Sequence, residues 1–102
     1  MIGILKRRRV LRRQAHRNYT HDTSVLVNLS WTRAESITIA ALAHRTGMCA
    51  ADLGMSLSRL TVRGWAIKAM TPFPRRGGGY EYVPTWHLTD AGCSEAERRC
   101  GW

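Results

Sequence analysis

WTRAESITIAALAHRTGMCAADLGMSLSRLTVRGWAIKAM, from Trp31 to Met70, is the stretch whose reading decides the fold. Thr32 and Glu35 have capping-box spacing: the threonine hydroxyl can accept from a backbone N–H three residues on, and the glutamate can reach back. Ala34, Ile37, Ala41 and Leu42 recur at helical spacing, and Gly47 supplies the left-handed residue that ends such a helix. The pattern predicts a helix over 33–45.

The next piece, from Ala50 to Ser56, is short and punctuated by Gly54. A small residue four positions before a glycine suits a tight helix pair. Ala50 lets the neighbouring helix approach, and Gly54 can take the positive φ that reverses the chain. Ser56 or Ser58 then caps a third helix running to about Met70. Three short helices with tight connections have the layout of a helix-turn-helix unit.

The third helix admits two registers. In one, Leu57, Leu60, Gly64 and Ile67 face the core; in the other, Val62, Ala66 and Ala69 do. Arg59 and Arg63, four apart, fall between the two apolar arcs in both and are expected on one exposed edge. Near the start of a recognition helix they could reach phosphates or guanine edges, with Ser58 and Thr61 on the nearby backbone. Replacing either arginine would then weaken DNA binding and leave the fold intact. On an ordinary helix the same two arginines are only solvated charges.

A chain of 102 residues can bury one modest core. Its net charge of +9 favours a polyanionic partner, a nucleic acid or an anionic membrane surface. The charge is concentrated: Lys6, Arg7, Arg8, Arg9, Arg12, Arg13 and Arg17 precede the first acid, Asp22, and the rest of the chain is nearly balanced. Residues 1–20 are therefore expected to be a basic arm, frayed or disordered when free because like charges repel, and residues 21–102 to be the folded domain. Against a nucleic acid such an arm would release counterions. A solubilising tail and an amphipathic membrane-surface helix are the competing readings. A transit peptide is a further alternative, although serine is scarce.

Cys49, Cys93 and Cys100 are odd in number with no close pair, so reduced thiols in a cytoplasmic setting, a bacterial nucleoid or a phage-encoded equivalent, are expected. His87, Cys93 and Cys100 lack a Cys-x-x-Cys knuckle, so neither a metal nor another cofactor is expected. No apolar run approaches the length of a membrane span. The acids Asp22, Glu35, Asp52, Glu81, Asp90, Glu95 and Glu97 form no recognisable catalytic set with Ser, Cys or His, which disfavours an enzyme.

Ser24 to Leu29, SVLVNL, is β-branched and apolar enough for a short strand that pairs with a later hairpin. Trp31 is expected to pack over the first helix, and His44 to serve as a partner for its dipole. After Met70 comes TPFPRRGGGYEYVPTWHL, residues 71–88. The three glycines predict a turn, followed by β-rich residues from Tyr80 to Val83. Pro72 and Pro74 confine the incoming arm to an edge or an extended connector. A tip carrying Arg75 and Arg76 is what a DNA-contacting wing needs. The spacing is not that of a nucleotide-binding loop.

Trp86-His87-Leu88-Thr89-Asp90-Ala91-Gly92 resembles the segment that leaves the wing and opens the next helix in MarR-type winged-helix regulators. The resemblance covers residues 33–95, with Ser58, Thr61 and Val62 matching a Ser-x-x-Thr-Val pattern of the preceding helix. It implies that Val62, Ala66 and Ala69 face inward, that Leu88 is the last inward strand residue and that Thr89 caps a helix from Asp90 to about Arg99. That helix is far shorter than the family's dimerisation helices, which bears on any homodimer. Trp31-Thr32 faintly resembles Myb-like and GcrA-like units as well.

The expected fold is mainly α with a small β-hairpin: a winged helix-turn-helix with a three-helix core and a short C-terminal helix. The expected function is DNA binding, sequence-specific or semi-specific, in transcription regulation. Ser58, Arg59, Thr61 and Arg63 would contact DNA from the third helix, Arg75 and Arg76 from the wing, and Arg7, Arg8, Arg9, Arg12 and Arg13 from the arm. An RNA- or ribonucleoprotein-binding basic protein and a DNA-packaging or assembly component are the alternatives.

Overall fold

The computed structural model describes residues 2–32 and 36–101. Its elements are α1 (Ile2–Trp31), α2 (Ile39–Thr46), α3 (Ala50–Val62), β1 (Ala66–Pro74), β2 (Tyr80–Leu88) and α4 (Asp90–Cys100). The fold is thus mainly helical with one hairpin, and α1, α2 and α3 make its helical core.

The short strand expected over Ser24–Leu29 is instead the last part of α1. Val25, Leu26 and Leu29 are fully buried on one helical stripe, with Asp22 one turn earlier. Burial of that stripe outweighs the β preference of the branched residues. The hydroxyls of Thr20, Thr23 and Ser30 donate back to the carbonyls of His16, Tyr19 and Val27, so polar side chains stay satisfied within the helix. Residues 2–20, expected to be frayed or disordered, are helical, and the boundary expected between residues 20 and 21 falls inside α1.

Thr32 ends a helix and does not start one: its N–H and its hydroxyl both donate to the Leu29 carbonyl. Glu35, the expected other half of the capping box, lies outside the described residues. The N-cap of α2 is Thr38, whose side chain accepts from the Ala41 N–H at 3.2 Å. Gly47 ends α2 at φ 72°, as the sequence suggests, and donates to the Ala43 carbonyl. The helix expected over 33–45 is therefore shorter and starts later. Ile37 exchanges two backbone hydrogen bonds with Trp86, so the pairing with the hairpin expected of Ser24–Leu29 is made here.

α3 is one continuous helix where two were expected. Gly54 sits inside it with ordinary helical geometry, and the turn between the helix pair is made at Gly47. Leu53, Ser56, Leu57 and Leu60 are buried, whereas Val62 is exposed. The Val62-inward register implied by the resemblance is thus reversed. The helix ends at Val62 and not near Met70, because Gly64 adopts φ 76° and the Trp65 N–H closes onto the Leu60 carbonyl. Ala66 is buried, but as the first residue of β1.

The hairpin pairs Ala66 with Leu88 through to Pro74 with Tyr80, in register over its length. Both strands are edges apart from the Ile37 bridge, so Pro72 and Pro74 are tolerated in β1. Leu88 is buried, and the Thr89 hydroxyl accepts from Gly92 N–H at 3.0 Å to cap α4. Thr89 also donates to the Gly64 carbonyl and binds the Trp65 carbonyl through its N–H. A Cβ on Gly92 would lie 2.0 Å from the Trp65 carbonyl oxygen, so only glycine lets α4 dock on the turn that ends α3.

Candidate nucleic-acid interface

α3 has one buried face and one open face. Leu53, Ser56, Leu57 and Leu60 define the first, and Ala51, Met55, Ser58 and Val62 lie opposite them in the open. The open face borders a groove toward the hairpin, lined by Gly54, Leu57, Ser58, Thr61, Val62, Lys68 and Trp86. Of the residues expected to touch DNA, Ser58, Thr61 and Arg63 are exposed here. The Thr61 hydroxyl donates to the Leu57 carbonyl at 2.7 Å. The Arg63 guanidinium lies 4.9 Å from the centre of the Trp65 ring, within cation–π range, which orients it at the C-terminal end of α3.

Arg59 points elsewhere. Its Nη2 donates to Asp22 at 2.8 Å and its Nε spans both carboxylate oxygens at 3.1 and 3.2 Å. Ser56 donates to the same carboxylate. The Arg59 and Asp22 side chains are only 24% and 5% exposed. Arg59 thus turns its Nε and Nη2 toward α1, while it and Arg63 still border one shallow depression with Met55, Ser58 and Val62. The reason is geometric: on α3, Arg59 flanks the buried face at the side where α1 passes, and Asp22 waits there. Asp22, Ser56 and Arg59 form a clamp between α1 and α3 that positions α3.

Arg75 and Arg76 are exposed at the hairpin turn, where the Arg75 N–H donates to the Gly79 carbonyl and Gly78 N–H returns to Arg75. Gly78 and Gly79 have φ of 97° and 75°, which explains the glycines at this tip. Lys68, which the sequence reading did not single out, stands over the Trp86 ring at the base of the hairpin. Arg7, Arg8, Arg9, Arg12 and Arg13 are exposed along the first half of α1, a linear array of positive charge.

A second cluster joins α1 to α4. Arg99 donates to Glu95 at 2.8 Å and to the Thr23 hydroxyl at 2.9 Å, and stacks 4.3 Å from the Tyr19 ring centre. Arg98 also binds Glu95. The Arg98 hydrogen bond, aided by that of Arg99 and opposed by burial, holds the Glu95 carboxyl down at about 2. Neither the Asp22 clamp nor the contacts of Arg99 with Tyr19 and Thr23 could be found from spacing, since those partners lie far away in the chain. Among the described residues, no group of three or more His, Cys, Asp or Glu could hold a metal ion, and no helix is long and apolar enough to cross a membrane.

The sequence matches no protein-family model and no curated protein. Solved structures do resemble the fold. An apo-form mutant of ZitR from Lactococcus lactis superposes with a TM-score of 0.63 over 97% of this chain and 68% of that one, at 16% identity. The Multiple Antibiotic Resistance Repressor, MarR, gives 0.58 over 99% and 75%, at 18% identity. The fold is a MarR-like winged helix. Wild-type ZitR in complex with DNA gives 0.56 over 78% of this chain, at 18% identity. This chain spans only 50% of that protein's length. In winged-helix terms α2 and α3 are the helix-turn-helix pair, and the β1–β2 hairpin is the wing.

Proposed function

We propose that this chain binds duplex DNA and regulates transcription, with α3 in the major groove and the wing on the adjacent backbone or minor groove. The observation that supports this best is the open face of α3. It is uncovered along its length while the helix's other face is core, and the hairpin bearing Arg75 and Arg76 follows it directly. The net charge of +9 supplies the attraction to phosphate. ZitR, which shares the fold, has been solved with DNA bound.

In this reading Ser58 and Thr61 lie against the nucleic acid, Arg63 meets a phosphate near the end of α3, and Arg75 and Arg76 grip the backbone from the wing. The arginines at 7, 8, 9, 12 and 13 form a second, sequence-independent contact. Arg59 holds α3 against α1 and is not a DNA contact. The test is a titration of duplex DNA and of structured RNA over a salt series. Duplex should bind more tightly throughout, with log affinity falling linearly against log salt. RNA bound equally well at every salt concentration would overturn the reading in favour of a general RNA-binding protein.

A further inference from the structure

The central stripe of the open face of α3 carries no guanidinium, and Arg59 and Arg63 stand at its margin. Ala51, Met55, Ser58 and Val62 follow one another at intervals of four, three and four residues, which aligns them on a single stripe diametrically opposite Leu53, Leu57 and Leu60. Met55 is 64% exposed and Val62 87%. The arginine next to this stripe, Arg59, spends its Nε and Nη2 on Asp22. Arg63, at the helix end, is stacked on Trp65.

This composition restricts what the helix can read. Guanine is read in the major groove through bidentate donors from Arg or Lys, and adenine through Asn or Gln. None of these residue types stands on the stripe. An apolar side chain has one specific partner on the base edges of that groove, the C5-methyl group of thymine. An aligned thioether and isopropyl group, exposed to solvent in the free protein, gain most from covering such methyls.

Resting on the duplex-DNA reading above, we propose that α3 is a thymine-methyl reader. Met55 and Val62 pack against C5-methyl groups in the major groove, Ala51 leaves room for the groove wall, and Ser58 adds a hydroxyl contact. Base selection is then for thymine at the positions under Met55 and Val62. Phosphate contacts from the wing and α1 supply affinity without sequence preference.

The test uses the full chain. Duplexes are selected from a randomised pool, and each thymine of the bound sequence is then replaced by deoxyuridine, which deletes the methyl and leaves base pairing unchanged. At the read positions each replacement should weaken binding about threefold to fourfold, the value of one buried methyl-sized group. Met55→Ala should abolish the uracil effect at one position and Val62→Ala at another, with circular dichroism unchanged since both side chains are exposed. A selected duplex that binds tightly and equally with uracil throughout overturns the methyl reading and leaves DNA binding standing. Duplexes bound no better than structured RNA overturn DNA binding itself, and this inference with it.

Discussion

The Asp22 carboxylate accepts hydrogen bonds from Ser56 and from two nitrogens of Arg59, all while nearly buried. Removing it leaves donors on α3 facing α1 without an acceptor, and a buried donor without a partner costs about 1–3 kcal/mol. Asp22→Ala should therefore lower the unfolding free energy by about 2–3 kcal/mol in urea titration. Arg59→Ala should also destabilise, so any loss of DNA binding in that variant must be compared with the loss in Asp22→Ala. Equal losses in the two identify a positioning role, and a much larger loss in Arg59→Ala would return Arg59 to the DNA surface. Gly92 is a second residue with a sharp outcome. A methyl there meets the Trp65 carbonyl, a backbone atom with little freedom to move, so Gly92→Ala should cost about 1–3 kcal/mol of stability. Leu88, buried where the wing returns, should cost roughly 2–5 kcal/mol as Leu88→Ala.

Among the elements, those with strong local signals were legible. The segment from Trp86 to Gly92 declares a returning strand, a capped helix and a close approach, and each is present because Thr89 and Gly92 act within a few residues of themselves. The glycine-rich tip likewise announces its turn. The helices failed where tertiary packing decides. Val25, Leu26 and Leu29 fit a strand or a helix in isolation, and only the neighbouring Leu53, Leu57 and Leu60 select the helix. The register of α3 could not be read from Arg59 and Arg63, because the partner of Arg59 lies 37 residues away. α4 adds a pH-dependent term. Glu95 is depressed from 4.5 to about 2, so its contribution to stability is present above pH 4.5 and disappears as pH falls toward 2. In denaturant titrations at a series of pH values, the native chain should lose its advantage over Glu95→Gln across that window. A constant difference would show that Arg98 and Arg99 do not hold the carboxylate in solution.

For the whole molecule the question is how its uneven charge is used. Arg7, Arg8, Arg9, Arg12, Arg13 and Arg17 are all exposed on the first half of α1, while the helix anchors itself to the body through Tyr19, which meets Arg99, and through Asp22, Val25, Leu26 and Leu29. Removing residues 1–17 therefore spares the buried stripe, and the remaining body should stay folded by circular dichroism. It also removes seven positive side chains, counting Lys6. Each phosphate neutralised contributes about 0.9 to the slope of log affinity against log salt, so full engagement would flatten that slope by about six. The Arg75→Ala, Arg76→Ala double variant takes two charges from the wing tip, where no core residue depends on them, and should flatten it by about two at unchanged stability. The two effects should add, since the sites share no partner. An unchanged slope after truncation would make the arginine array a solvated tail. A loss confined to anionic vesicles would instead make the first half of α1 a membrane-surface helix.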